Sequence, residues 1–122
     1  MVLVPPDGLT HLRITLSPTA YIGPGRADLL ELIGSTGSIS AAGKTMGMSY
    51  RKAWGLVQAL NEGFGEPLVV SSRGGAAQGG AMLTEAGRLV LAQYREMQRK
   101  ARQAIAEDVK AMRQHFDMSD KK

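Results

Sequence analysis

The chain has no cysteine. Disulfide scaffolds, cysteine-ligated zinc and thiol catalysis are therefore excluded. Aromatic residues make up only 5% of the 122 residues, so a core has to be built mainly from Leu, Ile, Val, Ala and Met. No apolar run approaches the roughly 20 residues of a membrane span. The opening residues MVLVPPDGLTHLR lack the basic start and apolar stretch of a secretory signal. A cytoplasmic chain with no membrane partner is the expectation. The two histidines, His11 and His115, have no acidic cluster beside them in sequence, and no nucleophile–base or metal-ligand arrangement is visible. Neither metal, cofactor nor enzymatic reaction is expected.

What is present is a mild basic excess. Lys and Arg number 15 against 11 Asp and Glu, a formal net charge of +4. Such a balance suits a polyanionic partner without requiring one. Hydrophobic residues reach 43%, enough for the core of one compact domain with an extension.

The patterning is mainly helical. Residues 2–10 contain Pro5, Pro6 and Gly8 and read as an irregular lead-in. His11 to Leu16 alternates, with Leu12, Ile14 and Leu16 on one side, as in a short half-buried strand. After the breakers Pro18, Gly23, Pro24 and Gly25, Leu29, Leu30, Leu32 and Ile33 predict a helix from Arg26 to Thr36. Ser38 is placed to cap a second helix over Ile39 to Met46, which Gly47 stops. One residue, Met48, separates that glycine from Ser49, which is placed to cap a third helix from Tyr50 to Glu62. Ala53, Leu56, Val57 and Leu60 form its inward face. Two short helices joined by a tight glycine turn predict a helix-turn-helix.

Two strands, Pro67 to Ser72 and Ala81 to Leu83, then flank a loop rich in glycine, including Gly74, Gly75, Gly79 and Gly80. A hairpin at this place is a wing. A nucleotide-binding P-loop would need Gly-Lys-Ser/Thr and an immediate helix, and Ala81-Met82-Leu83 stand there instead. Thr84 caps a last helix with no proline before about Phe116, roughly 50 Å at 1.5 Å per residue. Its apolar stripe runs Tyr94, Met97, Ala101, Ile105, Val109, Met112 and Phe116. The mean step of about 3.67 residues predicts a nearly straight pairing helix. The expected fold is thus mainly α with a small β wing. A winged helix-turn-helix occupies residues 1–84, a long dimerisation helix 85–117 and a frayed tail 118–122.

The runs Ser38-Ile39-Ser40-Ala41-Ala42-Gly43, Met48-Ser49-Tyr50-Arg51-Lys52-Ala53-Trp54 and Leu68-Val69, and the glycine loop closed by Leu83-Thr84-Glu85-Ala86-Gly87, occur in fixed order. Together they resemble the N-terminal DNA-binding domain of the ModE-type molybdate-dependent regulators and, more distantly, the LysR-type winged helix. The resemblance extends from about Leu12 to Ile105. It implies a DNA-binding homodimer joined through the last helix, and control of molybdate-uptake or molybdoenzyme genes. Full-length family members carry further β-barrel domains that bind molybdate. The 122 residues leave no room for them, so molybdate binding is not carried over.

The major groove admits one helix, read mostly by its N-terminal residues. Here those are Ser49, Tyr50, Arg51, Lys52 and Trp54. Arg51 suits guanine O6 and N7, Lys52 a base edge or a phosphate, and Ser49 a helix cap that also receives a phosphate oxygen. Tyr50 and Trp54 are open between DNA contact and packing. Arg73, with Gly74 and Gly75, reads as a wing contact to phosphate or minor groove, or as a loose hairpin. Ser40 and Lys44 stand where they could hold the backbone, though Lys44 is also an ordinary surface lysine. Tyr94, Met97, Ala101, Ile105 and Met112 are the expected dimer seam. Double-stranded DNA is the expected partner, and repression the simplest outcome. The alternative is a protein-interaction module that recruits another regulator without reading DNA. The cations Arg95, Arg99, Lys100 and Arg102 read as a solvated or intrahelically paired face, with Glu96 and Lys100 at i,i+4.

Overall fold

The computed structural model describes residues 8–72 and 80–116. The expected wing contacts Arg73, Gly74 and Gly75, and the tail 118–122, lie outside these described residues. The elements run β1 (Ile14–Thr15), β2 (Tyr21–Ile22), α1 (Pro24–Thr36), α2 (Ile39–Thr45), α3 (Tyr50–Gly63), β3 (Val69–Ser71), β4 (Ala81–Leu83) and α4 (Glu85–His115).

The first strand is shorter than its alternation suggests. Only Ile14 and Thr15 pair, antiparallel to Ile22 and Tyr21. The chain reverses between them, with the Leu16 N–H donating to the Ala20 carbonyl at 2.8 Å. Leu16, expected on the buried side, is therefore exposed at the turn. The partner strand β2 was not foreseen. α1 begins two residues earlier than the periodicity implies. Pro24 takes the first turn, where its missing N–H costs nothing. The helix ends at Gly37, in the left-handed conformation at φ 74°, whose N–H returns to the Ile33 carbonyl.

The core joins α1, α3 and β4. Leu29, Leu30 and Ile33 of α1, Val57 and Leu60 of α3, and Leu68, Val69, Ala81 and Leu83 beside the wing are all buried together. Each fully buried large aliphatic side chain contributes about 1.5–3 kcal/mol by leaving water. β3 and β4 form an antiparallel pair in which Val69 faces Leu83 and Ser71 faces Ala81. The Ala81 N–H donates to the Gly37 carbonyl, tying the wing to the end of α1.

The last helix is 31 residues long, about 46 Å at 1.5 Å per residue. Thr84 caps it by accepting from the Gly87 N–H at 2.9 Å and also donates to the Pro67 carbonyl at 2.7 Å. Its first turns pack on the body, and Gly87 lies so close to the Leu68 backbone that a Cβ would collide with it. Beyond Arg102 the helix is mostly exposed. No helix among the described residues is long and apolar enough to cross a membrane.

Candidate nucleic-acid interface

The two helices α2 and α3 are set by two hydroxyl caps and a close crossing. Ser38 Oγ accepts from the Ala41 N–H at 2.9 Å, and Ser49 Oγ accepts from the Lys52 N–H at 3.1 Å. Between them Gly47 takes φ 74°, and the Met48 N–H donates to the Gly43 carbonyl at 2.9 Å. A Cβ on Gly43 would stand 3.0 Å from the Ala53 Cβ, so glycine allows α2 and α3 to approach closely. α2 stops at Thr45, with Met46 as its C-cap.

This packing divides α3 lengthwise. Ala53, Val57 and Leu60 are buried, with Leu56 partly buried. Ser49, Arg51 and Lys52 are exposed, as are Tyr50 at 55% and Trp54 at 46%. The large exposed area of both aromatics leaves them available to a ligand. Ser40 and Lys44 of α2 are exposed as well. The structure thus presents Ser49, Tyr50, Arg51, Lys52 and Trp54 along the outer side and first turns of one helix.

Charge is segregated over the molecule. No Asp or Glu occurs between Glu31 and Glu62, a stretch that holds Lys44, Arg51 and Lys52. Among the described residues none of these three cations enters a salt bridge. Three cations of α4 behave differently. Arg95 reaches Asp28 at 2.8 Å and Glu31 at 2.7 Å, joining α4 to α1. Burial works to lower the Arg95 pKa, but hydrogen bonds to Asp28 and Glu31 outweigh it and hold the guanidinium above its ordinary value. Glu96 binds Arg99 at 2.6 Å and Lys100 at 3.9 Å. The Arg99 hydrogen bond holds the Glu96 carboxyl below its usual range. Arg95 was expected on a solvated or intrahelically paired face; it instead bridges two helices.

Two arrangements escaped the sequence. Asn61 accepts from the N–H groups of Leu68, at 2.7 Å, and Val69, at 3.2 Å, and donates to the Val69 carbonyl at 3.1 Å. It pins the first strand of the wing to the helix that carries Arg51. Arg13 and Arg26 stack on Tyr21, with guanidinium carbons 3.6 and 3.8 Å from the ring centroid. Side-chain partners on other elements leave no periodic signature in a sequence.

The expected dimer seam needs one correction. Tyr94 is 1% exposed, and its hydroxyl donates to the Leu12 carbonyl at 2.6 Å. Its ring fills the core of its own chain and is not available to a second copy. Burial pushes its phenol above the ordinary tyrosine pKa. Met97 and Met112 remain exposed, while Ala101 and Ile105 are partly buried. Gly8 lies against Val109 of the same helix. Among the described residues no group of three or more His, Cys, Asp or Glu could hold a metal ion.

Residues 27–88 match the family of bacterial regulatory helix-turn-helix proteins of the lysR type. The matched segment runs from α1 through α2, α3 and the wing into the start of α4. The chain is 46% identical over 89 residues to the molybdenum-pterin-binding protein MopB of Rhodobacter capsulatus, covering 72% of this chain and 33% of that protein. It is 40% identical over 97 residues to the molybdenum transport protein ModE of Azotobacter vinelandii, covering 80% and 36%. Against the DNA-binding transcriptional dual regulator ModE of Escherichia coli K12 the identity is 33% over 100 residues, covering 80% and 38%. The chain therefore spans about a third of the length of these curated relatives.

Proposed function

Because the chain belongs to the lysR family of bacterial regulatory helix-turn-helix proteins, we propose that it is a sequence-specific regulator of transcription that binds double-stranded DNA as a homodimer. α3 enters the major groove with its N-terminal turns against the base edges. Arg51 donates a planar pair of hydrogen bonds to guanine O6 and N7. Lys52 and Lys44 neutralise phosphates, and Ser40 and the capped start of α3 at Ser49 accept the backbone between them. Tyr50 and Trp54 contact sugar or thymine methyl groups. The wing tip, with Arg73, Gly74 and Gly75, follows the neighbouring backbone.

One observation supports this most strongly. Among the described residues the exposed cations Lys44, Arg51 and Lys52 of α2 and α3 enter no salt bridge, whereas Arg95, Arg99 and Lys100 of α4 are paired. Unpaired cations grouped on α2 and α3, in a stretch free of Asp and Glu, are complementary to a polyanion there. Met97, Ala101, Ile105 and Met112 meet a second copy and set two α3 helices about one duplex turn, or 34 Å, apart. The relatives named for molybdenum transport and molybdenum–pterin binding support molybdate-uptake or molybdoenzyme genes as the controlled class; repression is the simplest outcome of a dimer bound across a promoter. Selection from a randomised duplex pool tests the proposal. An inverted repeat with half-sites about one turn apart is expected, and a pool that shows no enriched sequence contradicts it.

A further inference from the structure

The Arg13–Tyr21–Arg26 stack lies outside the helix-turn-helix. Both guanidinium carbons are within 4 Å of the same ring centroid, at 3.6 and 3.8 Å. Two guanidinium planes at such distances would overlap on one face, so each takes its own face of Tyr21. Arg13 also donates to Thr15 Oγ1 at 3.4 Å, and Arg26 to the Tyr21 carbonyl at 3.4 Å. These bonds and the ring fix the two side chains in place. Neither forms a salt bridge among the described residues. Two like charges held around one ring with no ion pair among the described residues repel one another, and an anion relieves that repulsion.

The stack borders a cavity of about 340 Å³ whose wall also includes His11, Met48 and Lys52. No Asp or Glu among the described residues lines it. Glu62 lines the depression on the far side of the stack and makes no ion pair with either arginine. Lys52 belongs to the first turn of α3, so the cavity connects the stack to the start of that helix.

We propose that Arg13, Tyr21 and Arg26 form a clamp for the phosphodiester backbone flanking the segment read by α3. The inference rests on the DNA-binding reading above. Each guanidinium offers a fork of N–H donors to phosphate oxygens, and stacking on Tyr21 reduces the freedom lost when the contact forms. Tyr21 is the positioning residue and the arginines make the contacts. Phosphate contacts fix register and add affinity without reading sequence. The clamp therefore adds affinity and salt dependence equally for every duplex.

The experiment uses the full chain and the duplex selected by the unaltered protein, titrated by fluorescence anisotropy between 50 and 200 mM salt. The Arg13→Gln/Arg26→Gln double variant is compared with Arg13→Lys/Arg26→Lys, and circular dichroism checks that both are folded. Each lost phosphate contact lowers the slope of log affinity against log salt by about 0.9, so the glutamine pair, which loses two contacts in each protomer of the proposed dimer, is expected to lose roughly 3.6. The lysine pair is expected to retain the slope, and all three proteins the same base preference. A glutamine pair with the unaltered slope overturns the clamp while leaving the regulator reading intact. Inorganic phosphate that stabilises the unaltered protein but not the glutamine pair, with equal DNA slopes, also overturns it in favour of a small-anion site. Failure of the unaltered protein to bind any duplex overturns both. If the glutamine pair is unfolded, the single variants Arg13→Gln and Arg26→Gln replace it: each is expected to lose roughly 1.8 in slope, one contact in each protomer, and unaltered slopes for both overturn the clamp.

Discussion

The Tyr94 hydroxyl donates a 2.6 Å hydrogen bond to the carbonyl of Leu12, 82 residues away in sequence. It fastens the segment before β1 to the long helix, and Gln98 donates to the same phenol oxygen at 3.4 Å. The consequence reaches the proposed dimer. The most buried aromatic of the α4 stripe is consumed inside one chain, which moves the pairing seam toward Met97 and the residues after it.

Tyr94→Phe removes one buried hydrogen bond and is expected to cost about 0.5–1.5 kcal/mol, measured by urea unfolding at neutral pH. The pH dependence changes as well. Burial raises the folded-state pKa above the model-peptide value near 10. The stabilisation is therefore complete below pH 10 and is lost as pH rises from there through the folded pKa. The variant should show a shallower loss of stability on that alkaline side. An unchanged alkaline slope would remove Tyr94 as its source.

Asn61→Ala should loosen the wing. It leaves the N–H groups of Leu68 and Val69 and the Val69 carbonyl without their side-chain partner, at about 1–3 kcal/mol for stranding such groups. Hydrogen exchange should accelerate first at Leu68 and Val69. Equal protection in the variant and the unaltered chain would contradict the role given to Asn61.

Two glycines inside helices should respond oppositely to alanine. A Cβ on Gly55 would meet nothing within 4 Å among the described residues, so Gly55→Ala is expected to raise stability by about 0.5–1 kcal/mol through helix propensity. Gly87 faces the Leu68 backbone, and Gly87→Ala must displace α4 or β3. A net loss of about 1–3 kcal/mol is expected despite the better propensity. Thermal unfolding of the pair decides this, and a stabilised Gly87→Ala would mean that α4 does not lie against Leu68.

Met97→Glu and Met112→Glu place a charge on exposed apolar positions of α4. If α4 pairs two copies, sedimentation should show a shift from dimer to monomer with each chain still folded. DNA affinity should fall with it, because two half-sites are no longer read together. A monomeric unaltered protein that still binds a dyad tightly would refute this pairing.

The helix-turn-helix was legible because its signals are local. Ser38, Ser49 and Thr84 each sit one residue before a helical period and each accepts the cap hydrogen bond. Gly37 and Gly47 mark stops with positive φ. The outward side of α3 followed from the inward positions Ala53, Val57 and Leu60. What remained hidden depends on partners far along the chain. Arg95 meets Asp28 and Glu31 more than sixty residues away, and Tyr94 meets Leu12. An apolar residue on a helical stripe states only that it leaves water. It does not state whether its own core or a second copy receives it. The short strand β2 was hidden because Tyr21 and Ile22 are too few to display alternation.

The decisive measurement is the base preference of Arg51→Ala on the selected duplex, compared with the unaltered chain across single base-pair substitutions. A cost of about 1–3 kcal/mol, together with relaxed discrimination at one position in each half-site, is predicted. Identical affinity and identical preference at every position would contradict the placement of α3 in the groove, and with it the proposed function.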